Sequence, residues 1–175
     1  MKKIKLLLLF ISIITLPHFL EAQNHSTSIK VQAMDMGNAV MKNNFNSFVK
    51  YMHPGIIAFV GGVENMKTKM DSAYQAMKQF NVKFKRYWIG QPGEIVNYKN
   101  QLQAVLPQTT TLETPLGELS LETSMIVISN DDGKNWWFID TNVYKADKLK
   151  NVLPDLSPKL VIPPQRKPKF ALEHH

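Results

Sequence analysis

From residue 27 to about 43, Ile29, Ala33, Met36, Val40 and Met41 recur at three- and four-residue spacing. That period predicts a helix with one apolar stripe, interrupted by Gly37 and ended at Asn43-Asn44. A short helix follows over 46–52, with Phe48, Val49 and Met52 on one side. His53-Pro54-Gly55 is expected to end it, because a residue before proline is pushed out of the helical region. Residues 56–60, Ile-Ile-Ala-Phe-Val, carry no polar side chain and are expected to form a short strand stopped by Gly61-Gly62. Met66, Met70, Ala73, Tyr74, Met77 and Phe80 then give a third helix over about 64–80.

After Asn81 the period changes to two. Val82, Phe84, Arg86 and Trp88 fall on one face, and Lys83, Lys85, Tyr87 and Ile89 on the other. Gly90-Gln91-Pro92-Gly93 is a turn, and a long extended stretch with a bend near Pro107 runs from about 94 to 113. Thr114-Pro115-Leu116-Gly117 turns the chain into a strand where Leu119, Leu121, Thr123, Met125 and Val127 alternate with Glu118, Ser120, Glu122 and Ser124. A turn at 130–134 leads to a last strand over 135–143, and 146–152 is expected to be a short helix. Helices followed by long antiparallel strands predict an α+β fold, with the helices packed on one face of the sheet.

This order and these lengths, from about residue 27 to 145, resemble the nuclear transport factor 2-like (cystatin-like) fold. The resemblance rests on the topology, the helix–His-Pro–strand join and the long hairpins. It implies a curved sheet forming a cone around the first helix, a pocket between helices and sheet, and pairing of two copies through the open sheet face.

Several residues stand out as candidates for that pocket. Asp140 follows Trp136 and Phe138 on one strand face, so a carboxylate in apolar surroundings with a raised pKa is expected there. Tyr51, Tyr87 and Trp88 are expected to line the same cavity. His53 is the one histidine placed to move protons, and Tyr51 is a candidate donor. Three readings follow: a non-enzymatic binding or interaction module for a small apolar ligand, a small-molecule enzyme using Asp140 or His53, or a cell-surface adhesion or assembly accessory using the proline-rich tail. Against a catalytic part for Asp140 stands a capping role with Asn142 after the strand. No paired-carboxylate signature, phosphate-cradling glycine loop or nucleophile elbow is present, and no cofactor is implied.

Ser129-Asn130-Asp131-Asp132-Gly133-Lys134-Asn135-Trp136 resembles the Asp-box of sialidases and propeller repeats, with Asn135 in place of the threonine. A single copy excludes a propeller. The resemblance implies a structural hairpin, with Gly133 at positive φ and Trp136 packed beneath. Calcium held by Asp131 and Asp132 is the competing reading, and the loop offers few carboxylates for the six to eight oxygens calcium takes.

Composition sharpens the picture at the two ends. Lys2, Lys3 and Lys5 precede an apolar run over 6–16, and Leu20-Glu21-Ala22 offers a cleavage site, so residues 1–22 read as a signal peptide. Export to a periplasm or beyond follows, with no stable membrane anchor after cleavage. Residues 23–153 are then the single domain and 154–171 a basic tail. Pro154, Pro158, Pro163, Pro164 and Pro168 exclude a helix or central strand in that tail, and Leu156, Leu160, Val161 and Ile162 suit an extended strap across the domain. Leu172-Glu173-His174-His175 resembles an expression-tag remnant. The chain has no cysteine, which excludes disulfides, a zinc-thiolate site and a catalytic thiol. With those histidines set aside, no metal site is expected.

The formal charge of +7 invites a nucleic-acid reading, and its distribution removes it. Residues 1–22 carry three Lys and one Glu, and residues from Lys159 onward four Lys+Arg and one Glu. The remaining fourteen Lys+Arg and twelve Asp+Glu leave the body at only +2. Lys83, Lys85 and Arg86 among Phe84, Tyr87 and Trp88 are a solvated strand face, too few for a phosphate track.

Overall fold

A computed structural model describes residues 23–144, 149 and 151–172. The signal segment 1–22, the tag-like residues 173–175, and most of the helix expected over 146–152 lie outside the described residues.

The fold is α+β: among the described residues, helices and a six-stranded antiparallel sheet. Helix α1 occupies residues 23–41. It stops where Asn43 takes φ 52° and the Asn44 amide reaches back to the Ala39 carbonyl, 2.8 Å; asparagine tolerates this left-handed capping position. Asn44 then opens α2 (Phe45–Phe48) by accepting from the Ser47 amide, 3.1 Å, and one 3-10 turn, Val49–Tyr51, follows.

Residues 54–59 form helix α3 (Pro54–Phe59), not the strand expected there. His53 begins this helix instead of ending the one before. Its Nδ1 accepts from the Gly55 amide, 3.0 Å, and Pro54 sits at the first helical position, where the missing N–H has no cost. A five-residue apolar run has no period of its own, and the cap decided the outcome. Gly61 and Gly62, at φ 92° and 98°, turn the chain into α4 (Val63–Gln79).

The sheet is built on two long strands, β3 (Gln101–Thr114) and β4 (Gly117–Ser129), paired from Leu102↔Ser129 to Thr114↔Gly117. Strands β1 (Lys83–Ile89) and β2 (Val96–Tyr98) share the outer edge of β3 end to end. Pro107 faces the gap between them. Its carbonyl still accepts from the Gly90 amide, 2.9 Å. The stretch expected as one bent strand is thus a hairpin, closed by Lys99-Asn100 with φ 49° and 61°. Strand β5 (Trp137–Asp140) pairs with the C-terminal half of β4, and β6 (Lys169–Leu172) with its N-terminal end.

Alternation assigns the two faces, apart from one bulge. Phe84 pairs with Leu112 and Arg86 with Thr111, so Lys85 is the extra residue. Phe84 and Tyr87 therefore share a face, contrary to the strict alternation expected for this strand. The inner face carries Tyr87, Ile89, Ala104, Leu106, Met125, Val127 and Phe138, and packs against Ile29, Ala33 and Met36 of α1. The outer face presents Ile126, Ile128 and Ile139 to Phe45, Met52, Ile56, Met66, Leu149 and Leu153.

The proline-rich segment straps this outer face. Leu156, Leu160 and Ile162 pack on the second core, while Val161 is 81% exposed. Gln103, fully buried, receives the Ser157 amide on Oε1 (2.8 Å) and donates Nε2 to the Asp155 carbonyl (2.8 Å). Farther along, Arg166 and Lys169 both pair with Glu122. Leu172, within the tag-like residues, pairs with Gly117 in β6.

Candidate functional site

Residue 140 reaches the inner face because β5 keeps period two from Phe138 and pairs Asp140 with Met125. Across β4 and β3 the same face carries Thr123 and then Gln108. On β1 the bulge returns Tyr87 to this side. Four polar side chains from four strands thus converge.

They form a directed chain. The Tyr87 hydroxyl donates to Gln108 Oε1, 2.7 Å. Gln108 Nε2 donates to Asp140 Oδ2, 2.6 Å, and to Thr123 Oγ1, 2.8 Å. Asp140 Oδ1 accepts from the Asn142 amide, 2.7 Å. Burial pushes the Asp140 carboxyl above the usual carboxylate range, against the opposing pull of the Asn142 and Val143 amides and of Gln108. Burial, and secondarily the Asp140 charge, likewise hold the Tyr87 phenol well above its ordinary value. Tyr144 is raised by the same two causes.

This chain borders a cavity of about 420 Å³ between α1 and the inner face. Met36, Gly37, Val40 and Met41 of α1 form one wall, with Met77 of α4 beside them. Leu112, Leu121 and Met125 form the sheet wall, and Phe84, Phe138 and Tyr144 add aromatic rings. Apolar walls with a few convergent polar groups are the usual make-up of a small-molecule site.

Of the residues singled out from sequence, Tyr87, Phe138 and Asp140 border the cavity together. The others lie elsewhere. Tyr51 sets its ring edge on Phe138, centroids 6.2 Å apart, and borders a different hollow with Asp35, Lys42 and Lys50. Its phenol is raised by burial and, less, by Asp35. Trp88 is on the outer face, 58% exposed, beside a groove of about 340 Å³ formed with Pro107, Thr109 and the strap residues 163–166. Trp136 is buried beneath the Asp-box-like hairpin.

His53 borders a small outer-face hollow with Val152 and Leu153 and sets its ring against Trp137, centroids 5.0 Å apart. Burial lowers its pKa, whereas a place at a helix C-terminus would favour the charged form. His53 and Asp140 border different cavities. Gln108 and Thr123, central to the chain, were not singled out from sequence. Their signal was phase: both fall on the same sheet face as Tyr87 and Asp140 once the strand pairing is known.

The Asp-box-like turn is a hairpin tied from within. The Asp131 carboxylate accepts from the Ser129 hydroxyl (2.8 Å), the Asn135 amide (3.0 Å) and Asn135 Nδ2 (2.7 Å). The Gly133 amide donates to Ser129 Oγ, 2.9 Å, with Gly133 at φ 75°. Helix α1 grips the loop: Ser28 donates to the Gly133 carbonyl, and Gln32 joins the Lys134 carbonyl to the Trp136 amide. Both Asp131 oxygens are engaged, and no cluster of three metal-ligating side chains occurs among the described residues.

No helix among the described residues is long and apolar enough to cross a membrane. Comparison of the chain with family models, with curated proteins and with solved structures finds no match.

Proposed function

We propose that the chain is an exported, non-enzymatic binding module of the nuclear transport factor 2-like type. In this reading the sheet curves into a cone over α1, and the cavity at its mouth takes a small, largely apolar ligand. One observation carries it: a cavity of about 420 Å³ with apolar walls on which a single polar chain, Tyr87–Gln108–Asp140, converges. Buried polar groups bordering an apolar space fix a ligand's orientation, while the walls supply most of its affinity.

Native mass spectrometry of protein purified from its own compartment tests the reading. A retained mass on the wild-type chain, lost when Leu121→Trp fills the cavity, is the expected result. A wild-type mass with no adduct, together with no stabilisation by any apolar probe, would contradict it.

The enzyme reading keeps one supporting observation, the raised pKa of Asp140 beside a cavity. In that form Asp140 acts alone as proton shuttle with Tyr87 as the polar neighbour, and His53 has no part. Turnover of a cavity-sized ketone or enol substrate, abolished by Asp140→Asn, would support this second reading over the first.

A further inference from the structure

We propose that the cavity takes a cationic amphiphile, a compact apolar body carrying one ammonium group that seats against Asp140. The inference rests on the reading of this cavity as a ligand site and names the chemistry of the ligand.

The charge balance points there. Asp140 is the one charged side chain among the described residues that border the cavity. Its partners are Gln108 Nε2 at 2.6 Å, the Asn142 amide at 2.7 Å and the Val143 amide, all neutral. Among the described residues, helices α1 and α4 and strands β3 and β4 present no titratable side chain to this space, and Tyr87 from β1 and Tyr144 after β5 are the other titratable groups that border it. Among the described residues bordering the cavity, a negative charge so placed has hydrogen bonds and no counter-charge, and desolvation of an uncompensated charge is expensive.

The direction of the chain points the same way. Tyr87 uses its proton on Gln108 Oε1, which leaves the Gln108 amide group to donate toward Thr123 and Asp140. The chain therefore delivers donors to Asp140, and an ionised carboxylate is the acceptor-only group that suits its end. A ligand ammonium supplies the missing positive charge with a charge-assisted hydrogen bond. Phe84, Phe138, Tyr87 and Tyr144 add ring systems that attract a cation, and methionine thioethers adapt to an apolar body of varied shape. A ligand carboxylate would meet Asp140 as a like charge, and a neutral alcohol would leave the carboxylate uncompensated.

Octylamine, 1-octanol and octanoate share one apolar body and separate these cases. Titrated calorimetrically into the full chain at pH 7.5, octylamine is expected to bind roughly tenfold or more tightly than octanol, with octanoate weakest. As the pH is lowered through the raised pKa of Asp140, the amine preference is expected to shrink, because the carboxyl takes up a proton while the ligand stays charged. Asp140→Asn brings the amine-to-alcohol ratio toward one. The pH series on the wild-type chain needs no variant. Octanol binding as tightly as octylamine at pH 7.5, or a ratio indifferent to pH, would overturn the proposal and leave the cavity reading standing. Binding of none of the three overturns the cavity reading, and this inference with it.

Discussion

A Cβ placed on Gly37 would lie 1.9 Å from Cε1 of Tyr87. The ring of Tyr87 therefore occupies the space a side chain on α1 would take. Glycine in a helix interior costs about 1 kcal/mol relative to alanine, and here it admits the phenol that starts the Tyr87–Gln108–Asp140 chain. Gly37→Ala is expected to destabilise the protein by about 1–3 kcal/mol, since overpacking outweighs the helix propensity gained. In a Tyr87→Ala background the sign should reverse, and Gly37→Ala should stabilise by up to about 1 kcal/mol. Urea unfolding of the four proteins in the cycle checks this; a destabilising Gly37→Ala in both backgrounds would refute the relationship.

Asp140 is expected to make stability fall as pH rises. Its folded pKa lies above the unfolded value, near 4. The native state then binds more protons than the unfolded chain between those two values. Stability is therefore lost as pH climbs through that window, and the cost is full above the folded pKa. Asparagine retains the acceptor for the Asn142 amide and carries no charge, but sets an NH2 against the Gln108 Nε2 donor, so the pH dependence and not the absolute stability reads the carboxyl. The melting temperature of Asp140→Asn relative to wild type should rise from pH 4 to pH 7. A difference that stays constant over that range, or falls, would contradict this.

His53 makes the opposite pH dependence. Burial sets its folded pKa below the unfolded value of about 6.5. The unfolded chain binds more protons, so its contribution is present above pH 6.5 and lost on acidification. His53→Asn keeps a capping acceptor and should flatten that acid-side loss. His53→Ala should cost about 0.5–2 kcal/mol as a lost helix cap, at neutral pH. Neither should change ligand affinity, because His53 borders a different hollow. Melting curves between pH 5 and 8, with octylamine titration at pH 7.5, test all three statements.

The strap over residues 153–172 is expected to be part of the folded unit. Truncation after Pro154 removes Leu156, Leu160 and Ile162 from the second core and strips the buried Gln103 of its two strap partners, leaving Gln101 Oε1 on its Nε2 and no donor on its Oε1. A loss of several kcal/mol follows from the apolar area and the unpaired amide oxygen. Truncation after Lys167 removes only the exposed β6 and the Lys169–Glu122 pair and should cost under about 1 kcal/mol. Equal stability of the two truncations, read by urea midpoint, would contradict the strap's role.

Particular residues show why the sequence was legible in some places and silent in others. The helices on Ile29–Met41 and Met66–Phe80 followed from period, and the strand from Leu119 to Val127 from alternation. Asp140 reached the inner face as its phase with Phe138 required. Residues 56–60 went the other way because an all-apolar run has no period and the deciding bond, Gly55 amide to His53 Nδ1, is a cap. Trp88 left the expected pocket because it falls on the face opposite Tyr87, and a one-residue bulge at Lys85 puts Tyr87, not Trp88, on the side of Phe84. Gln108, Thr123 and the Gly37–Tyr87 contact depend on pairing between distant segments, which no local pattern contains.

Methyl resonances of the methionines give the most direct test of the cavity as a ligand site. Met36, Met41, Met77 and Met125 border it, whereas Met66 and Met70 belong to the second core on the other face. With methyl-labelled protein and octylamine at pH 7.5, saturable shifts are expected at the first four and not at Met66 or Met70. Shifts centred on Met66 and Met70, or no saturable shift at any methionine, would contradict the account.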